Sequence, residues 1–261
     1  MSHLAFASDF ELQRGQFAAE GFAVFDSVLS GPLLDLLREQ CAGFVAREDR
    51  RMDEAGVDQL GISHRGRRYF ANECQREQPV LRQALFSPIM ADICRATLGQ
   101  TAYFFFDQYV VKGPEQGLSF GWHQDSGYVV GNGGPVDHAP YLTCWCPLDD
   151  VDERNGTVRV LPFSQVPASR DAILPHQRQA ETRDLIGWSG EERGVAISAP
   201  AGSVVAFSSR LLHATGANHT ADMRRVYLAQ YTPEVLLNPG TRQLRRNAIA
   251  FVQGGDQVTF A

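Results

Sequence analysis

His123 and Asp125, in Gly121-Trp122-His123-Gln124-Asp125, are separated by a single residue. On extended backbone, residues i and i+2 point to one face. An imidazole and a carboxylate can then reach a common point about 2 Å away, the length of a metal–ligand bond. A third ligand is available much later in the chain, His213 in Arg210-Leu211-Leu212-His213-Ala214-Thr215-Gly216. Two imidazoles and one carboxylate on one face of an octahedron leave three positions open, the donor set of non-haem Fe(II) oxygenases. The histidines must be neutral and the carboxylate ionised, so metal binding is expected to weaken in acid.

Eleven residues after His213 stands Arg224, near the start of the β-prone run Met223-Arg224-Arg225-Val226-Tyr227-Leu228-Ala229-Gln230-Tyr231. A guanidinium pairs with a carboxylate through two parallel hydrogen bonds, which suits the far end of a dicarboxylic cosubstrate. Arg224 and Arg225 are neighbours on a strand and must face opposite sides. The spacing from His213 selects Arg224 as the inward one. This order, His-x-Asp, a long gap, a distal His and an Arg eleven residues on, resembles the phytanoyl-CoA dioxygenase-like family of Fe(II)/2-oxoglutarate-dependent oxygenases. The resemblance covers roughly residues 15–235, and the segment Asn155-Gly156 to Leu161-Pro162 also recurs in it.

The resemblance implies Fe(II) on His123, Asp125 and His213, 2-oxoglutarate with its distal carboxylate on Arg224, and O2 as the oxidant. It implies oxidative decarboxylation to succinate and CO2 coupled to hydroxylation, or a related oxidation, of a small organic substrate. Asp125 occupies the position that halogenating relatives give to a small residue, so halogenation is not expected. Thr215, Trp145 and Lys112 match family positions that line the cosubstrate pocket, although Gly113 intervenes before the proline that should follow the lysine. Gln108 shares a strand face with Val110 and Lys112 and is a further polar candidate. A plain strand role competes for Thr215, Gln108 and Lys112. Substrate contacts are expected from Phe106, Trp122, Tyr128 and Arg210, with core packing as the competing role for the aromatics. An apolar pocket would suit an acyl or natural-product skeleton. A coenzyme A thioester does not follow from the family's name.

The elements that must position these residues read as mainly β with flanking α-helices. Short strands between Gly, Pro and Asn turns argue for a jelly roll, and the family's double-stranded β-helix, a cupin-like core, agrees. We expect one domain over 1–261: a helical part at about 8–98, a core at about 102–235 and a tail over 236–261. Ser8-Asp9 reads as a helix cap, 22–25 as a short strand, Ser30-Gly31-Pro32 as a second helix start and 79–98 as one amphipathic helix. Residues 47–68 read as an exposed, charged loop able to act as a lid, and 163–194 as a polar insertion.

Composition narrows the classes further. The chain has 261 residues, 44% hydrophobic and 21% charged, as for an ordinary globular protein. Its net charge of −6 argues against nucleic acid or an anionic membrane as partner. Five scattered cysteines point to a reduced, cytoplasmic protein, and Cys144-Trp145-Cys146 reads as buried strand residues. No signal peptide or apolar run of about 20 residues is visible. Two rivals stay open: a non-catalytic sensor of metal and 2-oxoglutarate, and a jelly-roll hydrolase or isomerase using another metal. The second leaves Arg224 without a role.

Overall fold

The computed structural model describes residues 10–114 and 118–258; the cap expected at Ser8-Asp9 lies outside them. The first part of the chain holds helix α1 (Glu11–Glu20), strand β1 (Phe22–Phe25), helix α2 (Gly31–Ala55), strands β2 (Gln59–Leu60), β3 (Ser63–His64) and β4 (Arg68–Asn72), and helix α3 (Pro88–Thr97). Strands β5 (Thr101–Lys112) and β6 (Phe120–His123), helix α4 (Asp125–Gly131) and strand β7 (Leu142–Pro147) follow. Then come β8 (Val158–Leu161), β9 (Gln177–Arg178), β10 (Leu185–Ile186), β11 (Val195–Ala196), β12 (Val204–Ser208), β13 (Leu212–Thr215), β14 (Arg224–Thr232) and β15 (Ile249–Gln253).

The larger sheet runs β1-β12-β7-β14-β5-β4-β3-β2, and the smaller one β11-β8-β13-β6. Together they form the jelly roll. Period-two alternation decides what each sheet face meets. Along β7, Trp145 points between the sheets, where it packs with Val110, Val226 and Leu228 and with Val158 and Val160 of the smaller sheet. Cys144 and Cys146 point the other way, into a core shared with Leu37, Cys41 and Phe44 of α2 and Ile93 of α3. All five cysteines are buried and free. At Gly21, which closes α1 with φ +80°, an added Cβ would lie 2.6 Å from the ring of Phe163. The chain can turn from helix into β1 there only without a side chain.

The N-terminal part holds more sheet, and the exposed loop less freedom, than expected. Phe44, Glu48 and Met52 continue the buried stripe of α2, so the helix runs to Ala55 through the first part of the presumed loop. The buried Glu48 carboxylate is paired with Arg47 and Arg51. The rest of that stretch forms β2, β3 and β4, and β4 pairs with β5 from Arg68 to Asn72. The run over 79–98 is broken at Ser87-Pro88 into a 3-10 turn with a short helix, Pro79–Leu81 and Arg82–Leu85, and the longer α-helix Pro88–Thr97. Proline cannot donate a backbone hydrogen bond and starts a new helix instead. The tail is not outside the core: β15 pairs with β5, and Phe251 and Val252 are fully buried.

Candidate metal centre and its cavity

His123 and His213 face each other across a register pair of β6 and β13, with ring centres 4.1 Å apart. Each Nδ1 lies against a carbonyl two residues back, Gly121 O at 2.8 Å and Leu211 O at 3.0 Å. An Nδ1–H donating to a carbonyl leaves Nε2 with its lone pair exposed, the tautomer a metal requires. Both Nε2 atoms point at the same carboxylate oxygen, Asp125 Oδ1, at 3.9 and 3.6 Å. The ligand atoms of the three residues all lie within 4.8 Å of one another. Burial, and next the neighbouring His213, hold the His123 imidazole well below its usual protonation range. It is therefore neutral at physiological pH, as a ligand must be.

Asp125 opens helix α4 rather than lying on a strand. Gln124, with φ −106° and ψ 137°, is still extended, so the i, i+2 relation to His123 survives. The other carboxylate oxygen, Oδ2, accepts hydrogen bonds from Thr143 Oγ1 at 2.5 Å and Gln230 Nε2 at 3.0 Å. With Oδ2 occupied, Oδ1 is the oxygen presented to the histidines. Neither Thr143 nor Gln230 is among the expected residues. Both were findable, because Thr143 lies two before Trp145 and Gln230 six after Arg224, on the same strand faces.

The turn between His123 and Asp125 is pinned from behind. Gln124 is fully buried; its amide donates to the carbonyls of Ala172 at 3.0 Å and Arg210 at 2.6 Å and accepts from Leu174 N–H at 2.7 Å. Its backbone N–H donates to His176 Nε2 at 3.0 Å, while His176 Nδ1 lies 2.7 Å from Leu174 O. The His176 ring is wedged where a Cβ on either Gly127 or Gly187 would come within 2.4 Å of it. The polar insertion thus serves as a backing plate.

Arg224, Lys112 and Arg68 form one cross-strand row over β14, β5 and β4. Arg68 makes a buried bidentate pair with Asp184 at 2.7 and 3.0 Å. Lys112 donates to Gly216 O. Arg224 is 1% exposed, and its three guanidinium nitrogens have no hydrogen-bond partner among the described residues. The guanidinium carbon lies over the face of Trp145, 5.4 Å from a ring centre. Burial, opposed in part by the charge of Asp149, pushes the Arg224 pKa down to about 9, and Lys112 falls well below its usual range through burial and the charge of Arg224. A guanidinium left in this state fits an incoming carboxylate. Arg225 faces outward and pairs with Asp149.

A cavity of about 580 Å³ runs from Lys112 and Arg68 of this row past the triad, with Arg224 behind its wall rather than in it. Its wall includes His123, Asp125, His213, Thr215, Trp145, Gln108, Lys112, Phe106 and Tyr128. Glu48, Arg51 and Leu60 from the presumed loop also reach it. Trp122 and Arg210 do not. Trp122 packs with Leu161, Val166 and Leu212, away from the metal centre. Arg210 donates to the carbonyls of Asp171 and His138.

A family model described as phytanoyl-CoA dioxygenase (PhyH) matches residues 17–226. The chain belongs to the phytanoyl-CoA dioxygenase family. Membership makes it an iron- and 2-oxoglutarate-dependent dioxygenase acting on a small molecule. An L-proline trans-4-hydroxylase of Streptomyces griseoviridis is 24% identical over 245 residues, 83% of this chain and 84% of that one. An ectoine dioxygenase of Halomonas elongata is 25% identical over 236 residues, 81% and 66% of the two chains. The carbocyclase SnoK from nogalamycin biosynthesis shares the fold with a TM-score of 0.67 at 18% identity, over 98% of this chain and 96% of that one. EctD from S. alaskensis does so with a TM-score of 0.66 at 22% identity, over 95% and 87%. No helix among the described residues is long and apolar enough to cross a membrane.

Proposed function

We propose that this family member hydroxylates a small organic molecule, with Fe(II) held by His123, Asp125 and His213 and 2-oxoglutarate anchored on Arg224. The observation that carries the reading is a candidate three-ligand centre in the wall of one cavity, with a buried guanidinium that has no hydrogen-bond partner among the described residues set beside Lys112 and Trp145, which line the same cavity. The iron, when bound, supplies activation of O2 and oxidative decarboxylation of the cosubstrate to succinate and CO2.

This chain's residues do the rest. Gly121 O and Leu211 O hold both histidines in the metal-binding tautomer. Thr143 and Gln230 aim Asp125. Trp145, Thr215, Lys112 and Gln108 line the cosubstrate's side of the cavity, and Phe106 and Tyr128 face the substrate's side. Asp125 keeps the carboxylate in place, which favours hydroxylation over halogenation. The orphaned Arg224 counts against a hydrolase, because a hydrolase would leave it unused. Five free, buried cysteines support a reducing compartment, the cytoplasm. A net charge of −6 supports neither nucleic acid nor anionic membrane as partner. The test is anaerobic titration of apo-protein with Fe(II) and then 2-oxoglutarate. A weak visible charge-transfer band is expected only with both, followed by succinate release in air. A protein that binds both without releasing succinate, even with substrate candidates, would be a sensor instead.

A further inference from the structure

We propose that the substrate carries an oxyanion, a carboxylate or a phosphate, held by Arg178 and Arg245 at the rim of the cavity. The inference rests on the function proposed above and names the substrate class of that site.

The argument is one of charge. Six cations line the cavity, and three of them meet carboxylates: Arg51 pairs with Glu48, Arg68 with Asp184 and Arg246 with Glu73. Lys112 belongs to the closed end, beside Arg224. Arg178 and Arg245 remain, and among the described residues neither has a carboxylate partner. Arg245 donates to the carbonyl of Asn132 at 2.9 Å and to Asn238 Oδ1 at 3.1 Å. Arg178 donates to Arg183 O at 2.9 Å and to Asn132 Oδ1 at 3.2 Å. Neutral acceptors orient these guanidiniums without cancelling their charge. Arg245 is half-buried and Arg178 exposed at the rim, so both present free charge to an anion entering the cavity from solvent.

Their placement fits a substrate rather than the cosubstrate. Both arginines converge on Asn132, the residue that closes α4, while Asp125 opens the same helix. Seven residues of helix put about 10 Å between the metal ligand and the rim. Phe106 lies at the same end, under Arg246 and six residues along β5 from Lys112, about 20 Å of strand. The triad therefore sits between two cationic ends. Arg224 and Lys112 take the dicarboxylate at one, and Arg178 and Arg245 take the substrate's anionic group at the other.

The test uses matched probes: octanoate with methyl octanoate, L-proline with L-prolinamide, and geranyl monophosphate with geraniol. Binding to the full-length protein is read by calorimetry without iron, and stimulated succinate release is read with Fe(II) and 2-oxoglutarate. At least one acid should bind and stimulate while its neutral counterpart does not. A response to carboxylates alone or to the phosphate alone identifies the anion. Arg178→Gln and Arg245→Gln should each raise the KM of that acid roughly ten- to a hundredfold with little change in kcat. Arg245→Lys should recover part of the loss, whereas a merely structural helix-capping role would lower the melting temperature of the Gln variants and leave KM unchanged. Neutral partners acting as well as acids, no acid binding, or an unchanged KM in both Gln variants would overturn the proposal. Acid binding that depends on the two arginines, without any charge-transfer band or succinate, would instead overturn the oxygenase reading and leave the anion subsite standing.

Discussion

Gln230 Nε2 lies 3.0 Å from Asp125 Oδ2, and Gln230 sits six residues beyond Arg224 on the same face of β14. In the proposed function, one strand therefore aims the metal's carboxylate at one end and presents the cosubstrate's guanidinium at the other. A fault in the register of β14 would disturb both at once.

The first expectation concerns that contact. Gln230→Leu keeps the volume but removes the donor, and Thr143→Val does the same for the second hydrogen bond on Oδ2. Each should weaken Fe(II) binding about ten- to a hundredfold, as second-layer changes do at other metal sites. The double variant should lose more than either single one. Fe(II) titration under anaerobic conditions reads this directly, and unchanged affinity in both single variants would show that Asp125 needs no such support.

Arg224→Leu and Arg225→Leu should part company. Removing Arg224 should raise the 2-oxoglutarate dissociation constant by at least about a hundredfold, because a buried charged pair is lost. The same change relieves a buried cation with no hydrogen-bond partner, so the apo-protein should melt no lower than wild type. Arg225→Leu breaks a partly exposed ion pair with Asp149, worth up to about 1 kcal/mol. It should shift the melting temperature by a few degrees at most, about 2–4 °C per kcal/mol, and leave cosubstrate binding alone. Exchanged phenotypes would mean that the two arginines face the other way.

The pH dependence of cosubstrate binding follows from the same burial. The guanidinium of Arg224 has its pKa lowered to about 9 in the free protein. A bound carboxylate stabilises the charged form, so the pKa rises again in the complex. Affinity should be flat below about pH 8 and should fall as pH climbs through about 9, where binding must first take up a proton. Calorimetry in buffers of different ionisation enthalpy would register that proton. Affinity still flat at pH 10 would place the cosubstrate's distal carboxylate elsewhere.

Much of this site could be read along the chain, and the unread part has one cause. His123, Asp125, His213 and Arg224 announce themselves because their types and spacing are set by chemistry. The inward face of β14 follows from period two, so Arg224 and Arg225 separate without a structure. Gln124 and His176 give no such sign. The side-chain partners of Gln124 are 45 to 86 residues away and His176 meets its backbone N–H from 52 residues away, and a buried amide spanning three loops leaves no periodic trace. The charged stretch after residue 46 misleads for a related reason. Its arginines and acids pair with one another along α2, so charge there marks a helix with a buried Glu48 rather than a free loop. Trp122 was drawn toward the cavity by its neighbours in sequence. Alternation along β6 sends it to the far side instead.

The last prediction tests whether the backing plate matters. An added methyl at Gly127 would lie 2.2 Å from the His176 ring, a distance that real side chains do not share. Gly127 stands two residues into the helix that Asp125 opens, and His176 accepts the N–H of Gln124 between the two ligands. Gly127→Ala should therefore push His176 off that bond, lower the melting temperature, and weaken Fe(II) binding although no ligand is altered. His176→Ala alone leaves the Gln124 N–H unpaired, at about 1–3 kcal/mol. Combined with Gly127→Ala it removes the clash, so the double variant should be more stable than the sum of the two losses, with a coupling of about 0.5–3 kcal/mol. Strict additivity would show that the imidazole has room to move and that the turn between His123 and Asp125 holds its shape without it.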